Sequence, residues 1–131
     1  MPETVLVVDD HSLVLTTLVK TLVRAGFEVL SALSGEEALE IASHLHRPID
    51  LLVCDVILPG MQGTELAYRL ADVHPETRCL FISGMPDHPP ISHAVAASGQ
   101  ALLPKPFLPQ ALVRKAREVL GGELRLLSAI I

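Results

Sequence analysis

Residues 51–63, which read LLVCDVILPGMQG, decide the fold of this chain. The four apolar residues 51–54 predict a buried strand, and the Pro-Gly and Gly residues of 59–63 predict a turn. Asp55 stands at the end of the strand. A carboxylate in that position is costly unless another group compensates its charge. The rest of the sequence should therefore supply partners for Asp55.

Short apolar strands alternate with helical patterns along the whole chain. Strands are predicted at residues 4–8, 27–32, 49–54, 78–82 and 101–103. Each is followed by apolar residues at helical spacing. The fourth helix, which starts among Pro86, Pro89 and Pro90, has the weakest pattern, and the fifth is expected to stop at Gly121-Gly122.

This alternation predicts a parallel sheet with right-handed crossovers and helices on both faces. Proline is confined to edge strands and strand ends, so Pro104 indicates that the fifth strand is an edge. Both features fit a flavodoxin-like (βα)5 three-layer sandwich, a five-stranded sheet of order 2-1-3-4-5. Residues 1–122 are predicted to form this domain, and 123–131 an apolar tail or linker.

The bulk composition excludes several classes of protein. Half of the residues are hydrophobic (50%), yet no stretch approaches the roughly 18 to 20 apolar residues of a membrane span. The N-terminus lacks the pattern of a signal peptide, so a cytoplasmic protein is expected. A net charge of −5 argues against direct binding of nucleic acid. Cys54 and Cys79 are expected to be buried thiols in a reducing compartment.

Polar side chains follow four of the five predicted strands. Asp9 and Asp10 follow the first strand, Asp55 the third, Ser83 the fourth and Lys105 the fifth. Each residue alone has an ordinary structural interpretation, as a helix cap, a turn, a loop or a solvated lysine. Together they lie on the rim where such sheets bind ligands. Clustered carboxylates suit Mg²⁺, and a carboxylate nucleophile beside a cation and a hydroxyl suits phosphoryl transfer.

Four motifs in these places carry a resemblance to a known family: Val7-Val8-Asp9-Asp10, residues 55–63, Ser83-Gly84 and Lys105-Pro106-Phe107. They resemble the receiver domain of two-component response regulators, from about Thr4 to Leu120. The resemblance implies that Asp55 accepts a phosphoryl group from a phosphohistidine of a histidine kinase or histidine phosphotransfer protein. It also implies that Asp10, Asp55 and the backbone carbonyl of Ile57 bind Mg²⁺, with Asp9 helping through water.

The same resemblance assigns the remaining roles. Ser83 would be the switch hydroxyl, Lys105 would pair with the phosphoryl group, and Lys105-Pro106 would be a cis peptide. Phosphorylation would then shift the surface formed by the fourth helix, the fifth strand and the fifth helix. Leu102 departs from the family, which usually has Tyr or Phe three residues before the lysine.

Other functions are weighed against this one. An aspartate-nucleophile phosphatase of the haloacid dehalogenase type shares the Asp, Ser and Lys logic, but Asp9-Asp10-His11 lacks its second spaced aspartate. An unphosphorylated receiver-like binding scaffold would not need the intact acidic residues and lysine. The sequence favours a first-turn helix position for His11, because a zinc site would need more N or S ligands.

Two further expectations concern the apolar residues. Ile57 and Met85 stand two positions beyond Asp55 and Ser83, and could restrict water near an acyl phosphate, so slow self-dephosphorylation is a hypothesis. The apolar tail could pack on the domain, continue toward another domain, or pair two copies in a homodimer.

Overall fold

The computed structural model describes residues 2–84 and 101–130, with side chains as far as Gly121. The fourth predicted helix and Met85 lie outside these ranges. The elements are β1 Thr4–Val8, α1 Ser12–Arg24, β2 Glu28–Ala32, α2 Gly35–His44, β3 Leu51–Asp55, α3 Gly63–Leu70, β4 Arg78–Ser83, β5 Ala101–Pro104 and α4 Pro109–Ile130. The strands start or end within two residues of the predicted positions. Among the described residues, no helix is long and apolar enough to cross a membrane.

The strands form one parallel sheet of order β2-β1-β3-β4-β5. This confirms the predicted fold and places β5 at an edge, with Pro104 opposite Ser83 as its last residue. The register sets Val8 of β1 opposite Cys54 of β3. Asp9 and Asp55, the residues that follow these two, therefore leave the sheet side by side.

Alternating side chains of the sheet build two buried layers, as expected when helices cover both faces. One layer contains Leu6, Val8, Leu52 and Cys54 with apolar residues of α2 and α3. The other contains Val5, Val7, Leu51 and Val53 with residues of α1 and α4. Since β1 and β3 are covered on both sides, the packed core sets where their carboxyl ends lie, and thereby the position of the rim of the sheet.

The helix termini agree with the sequence at two places. Ser34 caps α2, and its Oγ accepts a hydrogen bond from the N–H of Glu37 at 3.1 Å. Gly26, which follows α1, takes a positive φ of 101°, a conformation that glycine adopts without a steric penalty. Both helices thus begin or end where their local chemistry predicts.

The predicted end of the last helix is wrong. Helix α4 continues through Gly121 and Gly122 to Ile130. A helix-interior glycine costs only about 1 kcal/mol relative to alanine, so two glycines weaken a helix without ending it unless one takes the left-handed conformation. Residues 123–130 therefore continue the helix, and the division of the chain into a domain of residues 1–122 and a tail or linker stays a prediction.

Candidate functional site

Asp55 is the last residue of β3, and the backbone around it is tightly held. The N–H of Val56 donates to the carbonyl of Ile82 at 3.0 Å, and the N–H of Gly63 donates to Val56 at 2.8 Å. Gly63 packs so closely that a Cβ built there would lie 2.3 Å from the Asp55 carbonyl oxygen. Only glycine fits at this contact, so the turn after β3 fixes the position of the Asp55 backbone.

Lys105 provides the counter-charge that Asp55 requires. Its Nζ donates to Asp55 Oδ2 at 2.8 Å, while the N–H of Ile57 donates to Asp55 Oδ1 at 3.0 Å. The N–H of Lys105 donates to the carbonyl of Ser83 at 2.8 Å, and its peptide bond to Pro106 is cis. The structure thus brings together residues that are 50 positions apart in the sequence.

This environment favours the protonated, positively charged form of Lys105. Burial alone would lower the pKa of its ammonium group. The hydrogen bond and charge of Asp55, followed by the charges of Asp9 and Asp10, outweigh burial and raise the pKa of Lys105 above its ordinary value. Lys105 therefore stays positively charged at neutral pH.

Asp9 is the buried carboxylate of the site, with a side chain only 1% exposed. Its Oδ1 accepts a hydrogen bond from the N–H of His11 at 2.9 Å. Its Oδ2 has no hydrogen-bond partner among the described residues and lies 3.9 Å from Lys105 Nζ. Burial raises the pKa of Asp9, because the His11 N–H and Lys105 offset it only in part, and the charges of Asp55 and Asp10 add to it.

His11 belongs to this cluster, which the sequence did not predict. It is the N-cap residue of α1 rather than a residue of the first turn, and it makes no side-chain cap. Its Nδ1 lies 3.4 Å from Asp10 Oδ1 and 3.6 Å from Asp9 Oδ1. Its direct succession to two aspartates was the only sequence signal for this arrangement.

Ser83 lies at the end of β4 and is 1% exposed. A cleft of about 440 Å³ opens at this rim of the sheet. The described residues that line it are Asp10, His11, Asp55, Ile57, Leu58, Pro59, Ser83 and Gly84. The cleft therefore brings two of the carboxylates and the hydroxyl-bearing residue to one space.

The donor set of this rim fits a divalent cation. One ligand atom each from Asp9, Asp10 and His11 lie within 4.8 Å of one another. Asp55 is not part of that tight group, and its two oxygens accept hydrogen bonds from Ile57 and Lys105. The buried Asp9 Oδ2 is an acceptor without a described donor, and a nearby cation would compensate it.

A parallel sheet of order 2-1-3-4-5 with carboxylates, a hydroxyl and a lysine on its carboxyl rim defines an α/β domain whose ligand-binding edge is polar and charged. The family model of the response regulator receiver domain matches residues 5–117, and the chain belongs to that family. It is thus a receiver domain of two-component signalling, which confirms the resemblance. The haloacid dehalogenase alternative is not favoured.

Two relatives from Brucella abortus illustrate the similarity. The sensor kinase CckA is 36% identical over 117 residues, which are 89% of this chain but 12% of the kinase. The response regulator receiver protein CpdR is 30% identical over 116 residues, 88% of this chain and 95% of CpdR. The chain therefore spans a small part of the first relative and nearly all of the second.

Solved structures show the same fold. A CheY-like receiver domain protein from Methanospirillum hungatei aligns with a TM-score of 0.84 at 26% identity, covering 95% of this chain and 98% of its own. The chemotaxis response regulator CheY4 of Vibrio cholerae aligns with a TM-score of 0.79 at 31% identity, covering 91% of this chain and 99% of CheY4.

Proposed function

We propose that Asp55 is the phosphoryl acceptor of this receiver domain, and that the donor is a phosphohistidine on a histidine kinase or histidine phosphotransfer protein. The observation that carries the proposal is the 2.8 Å contact between Asp55 Oδ2 and Lys105 Nζ at the cleft. A carboxylate at the cleft, held by a tight turn and adjacent to a fixed cation, is placed to act as a nucleophile.

The transfer needs few groups. A carboxylate oxygen of Asp55 attacks phosphorus, the bond from phosphorus to the donor imidazole nitrogen breaks, and an acyl phosphate forms on Asp55. Lys105 then moves its hydrogen bond from the carboxylate to a phosphoryl oxygen, while the Ser83 hydroxyl donates to another. The histidine nitrogen takes its proton from solvent as it leaves.

The metal in this proposal is Mg²⁺, held by Asp10, Asp55 and the backbone carbonyl of Ile57, with Asp9 acting through water. Bound there, Mg²⁺ would neutralise negative charge on the transferring phosphoryl group. Asp55 would give up one of its present hydrogen bonds to take part. The uncompensated Asp9 Oδ2 supports a cation at this place.

Switching follows from the new charge on Asp55. Ser83 and Lys105 are drawn toward it, and both are tied to the ends of β4 and β5. Leu102, which takes the place of the usual aromatic residue, pairs with Phe81 in the sheet and packs on the core. We propose that the change reaches β5 and α4 as a shift between two populations of one surface. The fourth predicted helix, which the sequence also assigned to this surface, lies outside the described residues.

The test is incubation of the chain with a small phosphodonor and Mg²⁺, followed by intact mass measurement. One phosphoryl group per chain is expected, and none in Asp55→Asn or without Mg²⁺. Asp72→Asn is the matched control, since Asp72 is exposed at the turn after α3. An unlabelled wild-type chain would overturn the proposal. Multiple turnover of a phosphomonoester would instead support the phosphatase alternative.

The homodimer stays a prediction, and we propose that it depends on phosphorylation. Its measurement is the molar mass in solution with and without beryllofluoride, which mimics the acyl phosphate. A dimer that forms only with beryllofluoride is the expected result. An unchanged monomer at high protein concentration would contradict it.

A further inference from the structure

His11 is an exposed side chain that is nevertheless directed at buried charge. Its side chain is 73% exposed, while that of Asp9 is 1% exposed and that of Asp10 is 30% exposed. Because His11 caps no backbone group of α1 with its ring, the imidazole is available to a ligand. It also lines the cleft that holds Asp55.

The separations of these groups fall within the range spanned by the ligands of one metal ion. Two ligands at about 2.1 Å from an octahedral ion are about 3.0 Å apart when they are adjacent and about 4.2 Å apart when they are opposite. His11 Nδ1 lies 3.4 Å from Asp10 Oδ1 and 3.6 Å from Asp9 Oδ1. Only small side-chain movements would bring His11 Nδ1 and Asp10 Oδ1 to coordination distance from one ion, with Asp9 reaching it through water.

A second observation, on the other oxygen of the Asp9 carboxylate, supports a cation beside the same group. Asp9 Oδ2 is buried and has no hydrogen-bond donor among the described residues. Lys105 Nζ lies 3.9 Å away and donates to Asp55 instead. A buried carboxylate oxygen in that condition is stabilised by a nearby positive ion.

We infer that His11 is a nitrogen ligand of the metal site, which gives this receiver a mixed carboxylate and imidazole set. Imidazole suits first-row transition ions, and affinity for such a set rises from Mn²⁺ to Co²⁺ and beyond. Mg²⁺ prefers oxygen ligands and gains less from the ring. The inference rests on the proposed metal-dependent function of the same acidic rim, and it adds a ligand and a metal preference to it.

Electron spin echo spectroscopy of the untagged chain with Mn²⁺ tests the ligand directly. Modulation from a coordinated imidazole ¹⁴N is expected in the wild type, lost in His11→Gln and retained in His46→Gln. His46 is the matched control because it is exposed on the loop between α2 and β3. Absence of nitrogen modulation in the wild type, or its persistence in His11→Gln, would overturn the inference.

Titration calorimetry tests the preference of the site for transition ions over Mg²⁺. The ratio of Co²⁺ to Mg²⁺ affinity should fall on the order of tenfold in His11→Gln and stay unchanged in His46→Gln. An unchanged ratio in His11→Gln contradicts the inference. Mass measurement of wild-type labelling with Mg²⁺ separates the two claims. Labelling without nitrogen modulation refutes only the inference, whereas nitrogen modulation without labelling refutes only the proposed function.

Discussion

At the scale of single residues, Asp9 shows how the site works against the stability of the fold. Its carboxylate is buried, and two further carboxylates, Asp10 and Asp55, lie close enough to add to the effect of burial on its pKa. Lys105 compensates Asp55 at 2.8 Å but Asp9 only at 3.9 Å. In the metal-free domain the negative charge of Asp9 is therefore poorly compensated. A residue with a purely structural role would not need to carry such a charge.

Asp9→Asn should stabilise the metal-free domain by about 1 kcal/mol at pH 7. The pKa of Asp9 is raised above 3.8 in the folded chain. The unfolded chain therefore loses this proton first: the penalty is absent below pH 3.8, grows as the pH rises above 3.8, and is complete above the raised value of the folded chain. Urea unfolding without divalent ions measures the effect, with the exposed Asp72→Asn as control. A lower stability of Asp9→Asn than of the control would contradict this reasoning.

Ile57 is expected to slow hydrolysis of the acyl phosphate. Its side chain lines the cleft and is 48% exposed, so its apolar surface lies where an attacking water would enter. Ile57→Asn should speed loss of the phosphoryl group severalfold, because an amide can hold a water that an alkyl group cannot. The decay of the phosphorylated mass over time measures this rate.

Val73→Asn is the matched control for that experiment, since Val73 has a similar exposure of 49% and lies at the other end of the sheet. Its decay rate should equal that of the wild type. A wild-type acyl phosphate that decays within seconds at neutral pH would contradict the hypothesis.

At the scale of elements, sequence patterns predicted what depends on local chemistry. Strand ends, the Ser34 cap and the glycine after α1 all follow from neighbouring residues. The end of α4 did not follow from the local sequence, because glycine disfavours a helix without preventing it. The role of Gly63 was also hidden, since its close approach to Asp55 depends on how the turn folds back onto β3.

Gly63→Ala should destabilise the domain by about 1–3 kcal/mol, the usual range for an overpacked contact. The new Cβ would lie 2.3 Å from the Asp55 carbonyl oxygen, which is backbone and cannot rotate away. Phosphorylation of Asp55 should slow as well, because the carboxylate moves with its backbone. Chemical unfolding and the labelling rate measure the two effects.

Tyr68→Ala is the matched control, an exposed change on the same helix that should leave both the stability and the labelling rate unaltered. Equal behaviour of Gly63→Ala and Tyr68→Ala would refute the packing argument.

At the scale of the whole molecule, the alternation of strands and helices, together with Pro104, predicted the topology. That topology brings one set of polar residues to one rim: Asp9, Asp10, Asp55, Ser83 and Lys105. The orientation of His11 and the uncompensated oxygen of Asp9 depend on distances of a few tenths of an ångström, which no sequence pattern carries. The two buried cysteines were predicted as core residues. Because both thiols are buried, the stability of the whole domain should depend on pH in the alkaline range.

Alkaline pH should weaken the fold through these thiols. Burial raises the pKa of Cys79 from 9.0 to about 12, and burial, followed by the charge of Asp55, raises the pKa of Cys54 well above 9.0. Above pH 9 the unfolded chain therefore binds fewer protons than the folded chain, so the free energy of unfolding falls as the pH rises. Each thiol should contribute about 1 kcal/mol of this loss between pH 9 and pH 10.

Urea unfolding under reducing conditions at pH 8, 9 and 10 measures the slope, and Cys79→Ala isolates one thiol from the other. The variant starts from a lower stability, because it loses buried volume, but its loss between pH 9 and pH 10 should be about half that of the wild type. Deprotonation of Lys105 does not account for the loss of stability between pH 9 and pH 10. Its raised pKa means that its stabilising contribution is complete below 10.5 and is lost only as the pH rises beyond that value. Parallel pH profiles for the wild type and Cys79→Ala would show that the buried thiol does not titrate on unfolding, and would refute its assignment as the source of the alkaline instability.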